Sequence, residues 1–114
     1  MSNTIFAKII RGELEADIVH SDETCIAFRD INPQAPVHAL IIPRKPIRSI
    51  ETMEDEDVPL VGHLFAVARD LAQELGVAES GYRLVINNGT DAGQTVSHLH
   101  VHLLAGRNMN WPPG

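Results

Sequence analysis

The sequence predicts an α+β domain spanning residues 1–114, with a five-stranded, mostly antiparallel sheet, one short helix and one long helix. Three observations carry this. Residues 57–75 hold an apolar stripe at helical spacing, formed by Val61, Leu64, Phe65, Ala68, Leu71, Ala72 and Leu75 and ended by Gly76. Short apolar segments bounded by turn residues recur on both sides of that stripe. Near the C-terminus, His98-Leu99-His100-Val101-His102-Leu103-Leu104 alternates histidine with apolar residues at the period of a strand.

Taken in order, the elements read α-β-β-β-α-β-β. Thr4 to Arg11 forms a short helix, with Thr4 as N-cap and Gly12 as stop. Ile5, Phe6, Ile9 and Ile10 share one apolar face, and Ile5 and Ile10 are expected to pack on the sheet. Ala16 to Ser21 and Thr24 to Arg29 are strands around a turn at Asp22-Glu23. His20 reads as a half-exposed strand residue and Cys25 as a small core residue without an activating neighbour. The loop from Asp30 to Pro36 leads into an apolar strand, Val37 to Pro43, with His38 at its mouth. Arg44-Lys45-Pro46 is a local basic patch, either a solvated turn or a guide for phosphate.

The acidic run Glu51 to Asp57 suits a helix N-terminus, where each negative group is worth ~0.3–1 kcal/mol. Pro59 fits the first turn of the long helix. His63 lies beside the stripe as a structural or interfacial residue, and Gly62, Ala66 and Ala68 offer room for another helix. Tyr82 to Asn87 is the next strand, followed by a polar loop and the histidine strand. The tail Gly106 to Gly114 ends in Trp-Pro-Pro-Gly, which excludes a helix or central strand. Trp111 needs a place for its ring, and a partner chain is one.

Composition narrows the function. The chain has 114 residues and a net charge of −6, which argues against a general nucleic-acid binder. A single cysteine excludes an intrachain disulfide framework and suits a reducing, cytoplasmic setting. No signal-peptide pattern is present, and no apolar run approaches the ~20 residues of a membrane span.

The histidine strand admits three readings: a solvated face, a metal site, or catalysis by imidazole. Metal is limited by distance. Alternate strand side chains are ~6.6 Å apart, so the outer two imidazoles stand ~13 Å apart and one ion cannot take all three. Catalysis is favoured by the preceding loop, Asn87-Asn88-Gly89-Thr90-Asp91-Ala92-Gly93-Gln94-Thr95, whose backbone N–H groups can form an anion nest. A row of imidazoles can then divide attack, charge stabilisation and proton transfer.

The pattern His-φ-His-φ-His-φ-φ, with φ apolar, names the histidine triad (HIT) family. Thr4-Ile5-Phe6-Ala7-Lys8-Ile9-Ile10, Ala27-Phe28-Arg29-Asp30-Ile31-Asn32-Pro33-Gln34-Ala35-Pro36-Val37-His38 and Trp111-Pro112-Pro113-Gly114 resemble its nucleotide-binding (Hint) branch. The resemblance implies a homodimer formed through the long helix and the strand after it. It implies a nucleobase pocket lined by Phe6 and Ile9 with Phe28 near the base, Asp30 on the ribose hydroxyls, Ile31 beside the sugar, and Asn87 near phosphate or leaving group. It places His38 in the active site, its backbone carbonyl orienting the nucleophile. It brings Trp111 of the partner protomer to the leaving-group side.

The implied reaction is hydrolysis of purine nucleoside phosphoramidates, AMP or GMP linked to an amine. His100, central in the row, attacks phosphorus, and water releases the nucleotidyl-histidine. His102, His98 and the Thr95 hydroxyl are the candidate proton donors. His102 and the backbone of Gly93, Gln94 and Thr95 are candidates for holding phosphate charge. The scheme calls for no metal and no cofactor. Ala92 stands where a second glycine is common in the family, and Thr95 where serine is common. The alternatives are dinucleoside polyphosphate hydrolysis, as in another branch, and a nucleotide-binding regulatory or scaffold protein.

Overall fold

A computed structural model describes residues 2–114. The elements are α1 (Ile5–Ile10), β1 (Ile18–Ser21), β2 (Cys25–Arg29), β3 (Val37–Pro43), a single 3₁₀ turn (Asp55–Asp57), α2 (Val58–Glu74), β4 (Tyr82–Val85) and β5 (Val101–Ala105). The five strands form one sheet in the order β1-β2-β3-β5-β4. Every neighbouring pair is antiparallel. No helix among the described residues is long and apolar enough to cross a membrane.

The register sorts the side chains onto two faces. Phe28 pairs with Leu40, and Leu40 with His102, so these three form a row on one face. Ala27 pairs with Ile41, and Ile41 with Val101, forming the next row on the other face. The second face meets α2: Cys25, Ala27, Ile41, Val101 and Leu103 pack with Leu64, Ala68, Leu71 and Ala72. Burial of each large aliphatic side chain there contributes roughly 1.5–3 kcal/mol. The first face carries a smaller cluster of Phe6, Ile26, Phe28, Leu40 and Ile42. Helix α1 is too short to stand alone, and its N-cap, where Thr4 Oγ1 accepts from the Ala7 N–H at 3.1 Å, is reinforced by this packing.

Several expectations are corrected. Phe65 is 38 % exposed, and Val67, outside the expected stripe, is buried in its place. The core-facing side of α2 is rotated toward Val67, which leaves Phe65 at the rim. Ala68 is wholly buried in the core, so it gives no room to another helix. Ile5 is 56 % exposed rather than packed on the sheet. The basic patch is tied up: Arg44 Nε donates to the Asp22 carbonyl at 2.8 Å, and Lys45 pairs with Glu56 and buried Asp57. It does not stand free to guide phosphate.

Two glycines set chain direction. Gly76, at φ +74°, ends α2 in a left-handed turn. Gly106, at φ +94°, ends β5, and a Cβ on it would lie 2.9 Å from the Pro36 ring.

Candidate active site

Ladder pairing of β5 begins at Val101, so His98, Leu99 and His100 precede the strand that periodicity assigns them to. Their backbone follows a different partner: the Leu99 N–H donates to the Ile47 carbonyl at 2.7 Å. The alternation still holds there, because Leu99 is buried in the α2-side core while the imidazoles of His98 and His100 lie near Phe6 on the other face.

Each imidazole has a partner that fixes where its proton sits. His100 Nδ1 lies 2.7 Å from the His98 carbonyl oxygen, which only accepts. Neutral His100 therefore carries its proton on Nδ1 and keeps a lone pair on Nε2. His38 Nδ1 accepts from the Gln34 backbone N–H at 3.0 Å, so His38 holds its proton on Nε2. That Nε2 lies 2.9 Å from His102 Nδ1 and 3.5 Å from Asp30 Oδ2. His102 Nδ1 accepts, and the His102 proton is on Nε2. His98 Nε2 donates to the Pro43 carbonyl at 2.8 Å, leaving its Nδ1 buried without a partner. The three rings of the row thus aim at three different protein atoms and do not converge on one point.

Burial holds all four imidazoles below the ordinary histidine value. For His98 and His100 it dominates, opposed by the carbonyl each one faces. For His38 it outweighs the nearby Asp30. For His102, burial and then the neighbouring His100 and His38 lower the value to about 4. The cluster is neutral at pH 7.

His100 and His102 border a cavity of about 260 Å³ between α1, the loop after it, β2 and the loop before β5. Its apolar lining includes Ile5, Phe6, Ile9, Phe28 and Leu40. Phe6 stands edge-on to both Phe28 and His100, with ring centroids 5.5 and 5.0 Å away. Asp30, Thr95, His100 and His102 are among its polar lining residues, and Ile31 also lines it. Asp30 Oδ1 accepts from the Asn32 N–H at 2.8 Å, which sets the carboxylate at the start of its loop.

Of the residues singled out in sequence, Phe6, Ile9, Phe28, Asp30, Ile31, Thr95, His100 and His102 meet at this cavity. Others do not. Asn87 lines a separate shallow cavity beyond His102, with Gln34, His38 and Leu104. The Gly93 and Gln94 N–H groups donate to the Thr90 and Gly89 carbonyls within their own turn, and the Gln94 side chain is bonded to Gly89, Arg48 and Val96. Thr95 alone of these three makes no such bond among the described residues. His98 is 1 % exposed and away from the cavity, with its N–H engaged by Pro43, which removes it as a proton donor. The expected carbonyl is also corrected: His38 O accepts from the Asp30 N–H at 3.0 Å, and it is His98 O that orients His100. His38 steadies His102 instead. Trp111 is 82 % exposed on this chain.

Sequence reasoning missed Gln34 and Pro43. Both act through backbone atoms, so their side chains carry no signal. Leu14 and Glu15, which border the cavity, were missed because nothing marks the α1–β1 connection in sequence.

The HIT domain family model matches residues 11–109. An uncharacterised HIT-like protein of Synechocystis sp. is 54 % identical over 112 residues, covering 98 % of this chain and 97 % of its own. The crystal structure of a HIT family hydrolase from Legionella pneumophila superposes with a TM-score of 0.96 at 50 % identity, covering 98 % of this chain and all of that one. A histidine triad nucleotide-binding protein from Candida albicans superposes at 0.83 with 30 % identity, covering 96 % of this chain and 83 % of that one. With most of its length matched by the family model, and a relative identical at more than half its positions, the chain belongs to the HIT domain family.

Proposed function

We propose that the protein hydrolyses purine nucleoside 5′-phosphoramidates through a nucleotidyl-histidine on His100. The observation that carries this reading is the state of His100: neutral, its Nδ1–H donating to the His98 carbonyl, with a bare Nε2 at a largely apolar cavity. The Legionella relative is described as a hydrolase and the Candida relative as nucleotide-binding, which supports the same chemistry here.

In this reading the purine lies among Phe6, Ile9 and Phe28, with Ile31 by the sugar and Asp30 facing the ribose hydroxyls. His100 Nε2 forms a bond to the α-phosphorus as the phosphorus–nitrogen bond breaks. The amine leaves with a proton drawn from solvent and relayed through the Thr95 hydroxyl or His102, the relaying group taking up one proton as it gives one. Water then attacks phosphorus, its proton returning to solvent through the same relay, the Nε2–phosphorus bond breaks, and AMP or GMP departs. His102 Nε2–H and the Thr95 N–H are the donors proposed for the phosphate oxygens. Asn87, across His102, is assigned to the leaving-group side.

The active form is proposed to be a homodimer. Val58 and Phe65 on α2 are exposed apolar residues, and β4 is an edge strand next to β5. Trp111 of one protomer would then face the leaving group of the other. Sedimentation yielding only a 12.5 kDa species at micromolar concentration rejects the dimer.

The test is amine release from an adenosine phosphoramidate by wild type and by His100→Ala, with acid-labile AMP trapped on the protein during turnover. Turnover and trapping in wild type alone are expected. AMP binding without turnover rejects the enzyme in favour of a binding protein. Turnover of a diadenosine polyphosphate in preference to the phosphoramidate rejects the substrate class.

A further inference from the structure

Two histidines take no part in the cavity. His20 on β1 and His63 on α2 meet at Asp22, in the turn between β1 and β2, on the α2 side of the sheet. His20 Nε2 and His63 Nε2 each lie 2.8 Å from Asp22 Oδ2. Cys25 Sγ lies 3.3 Å from that same oxygen. The other carboxylate oxygen has a separate task. Asp22 Oδ1 accepts from the backbone N–H groups of Thr24 and Cys25, at 2.8 and 2.9 Å, and closes the turn. Arg44 holds the Asp22 carbonyl. Oδ2 is therefore aimed by a rigid turn at three side chains, and all three are of metal-ligating type.

We propose that His20, Asp22, Cys25 and His63 form a binding site for a divalent transition cation of the zinc class, separate from the cavity that holds His100. Two imidazole nitrogens, one carboxylate oxygen and one thiolate sulfur make a four-ligand set suited to tetrahedral zinc. The ligating atoms of His20, Asp22 and Cys25 already lie within 4.8 Å of one another. With bond lengths of ~2.0–2.3 Å, ligand atoms of a zinc tetrahedron stand ~3.3–3.7 Å apart. The two imidazole contacts to Oδ2, at 2.8 Å, must each open by roughly 0.5–0.9 Å and the sulfur contact, at 3.3 Å, by less than about half an ångström, within the reach of side-chain rotation.

Cys25 is fully buried, but its sulfur meets the half-exposed Asp22, so an ion arrives from the solvent side. On binding, each imidazole keeps one proton by moving it from Nε2 to Nδ1, and the Cys25 thiol releases one proton to solvent. The bound ion joins α2 to the β1–β2 turn, 41 residues apart in sequence.

The test uses the full chain, reduced, with Co²⁺ and Zn²⁺ as probes. Expected is one Co²⁺ per chain, with tetrahedral d–d bands and a thiolate-to-cobalt charge-transfer band, both erased by one equivalent of Zn²⁺. His63→Gln and His20→Gln, at partly exposed positions, are expected to weaken binding by ~100-fold or more, since even a residue behind a ligand is worth ~10–100-fold. Cys25→Ser should lack the charge-transfer band, and His102→Asn should bind like wild type. Zn²⁺ should raise the Tm of wild type and not that of His63→Gln. The proposal fails if no Co²⁺ binds, if it binds without the thiolate band, if His63→Gln binds as wild type does, or if His102→Asn abolishes binding.

Discussion

The six histidines of the chain fall into two groups on opposite faces of one sheet, and the groups differ in what their ring nitrogens touch. His38, His98, His100 and His102 are directed to carbonyls, a backbone N–H and one another. They are held neutral by burial, with one carboxylate, Asp30, at their edge. His20 and His63 converge on a carboxylate in a partly exposed turn. Burial alone would raise the Asp22 carboxyl, but His20, His63 and two backbone N–H groups together hold it well below the usual range. The Cys25 thiol beside it is pushed up to about 12, first by burial and then by the hydrogen bond and charge of Asp22. Carbonyl and carboxylate neighbours both take an N–H; the difference lies in which nitrogen is engaged, Nδ1 at His100, which leaves Nε2 bare, and Nε2 at His20 and His63.

That contrast can be broken from either side. The largest effect is expected at His100: alanine there should lower phosphoramidate turnover by at least ~10⁴-fold with the fold intact, as for other nucleophiles. Circular dichroism and single-turnover kinetics check it.

Acid comes next. An imidazole whose folded value is depressed is protonated first in the unfolded chain, so stability present above pH 6.5 is lost as pH falls toward about 4. For His102 the loss is roughly 3 kcal/mol at ~1.4 kcal/mol per pH unit. Urea denaturation at pH 7 and pH 4 should give His102→Asn a shallower decline than wild type. An equal decline would mean that His102 is not held neutral by the fold.

His38→Ala, which frees the His102 ring, should lower kcat by about 10²-fold, the scale of a ~1 Å misplacement. His63→Ala should leave kcat unchanged, and equal losses in the two variants would erase the distinction between the faces. The smallest effect is expected from Ile5→Ala. It should raise KM for the nucleotide a few-fold and shift stability by less than ~0.5 kcal/mol, because Ile5 borders the cavity but is largely exposed.

Periodicity made much of the scaffold legible. The strand Val37–Pro43 has the bounds its apolar run implies, and the order of two helices and five strands is as the patterns read. Thr4 caps α1 as its position implies. Phe65 and Val67 were misjudged because a stripe fixes the period of a helix but not the direction in which its centre faces. The histidines announced a site, yet their partners are backbone atoms brought close only by folding. The Pro43 carbonyl is 55 residues from His98, and the Gln34 N–H reaches His38 across a proline-bounded loop. The Asp22 cluster was illegible for a similar reason: His63 reaches it from another element, with no spacing to connect them.

The close approach of Gly106 to Pro36 bears on how this protein tolerates mutation. Position 106 is exposed and distant in sequence from Asp30 and His38, so inspection of the surface would rate it permissive. It combines a left-handed backbone with a proline ring already in the space of any Cβ, and the loop on which that proline sits joins Asp30 to His38. Any other amino acid there must displace the loop that carries both residues. Among random variants, position 106 should therefore behave as a hidden extension of the active centre, intolerant of substitution although it touches no ligand.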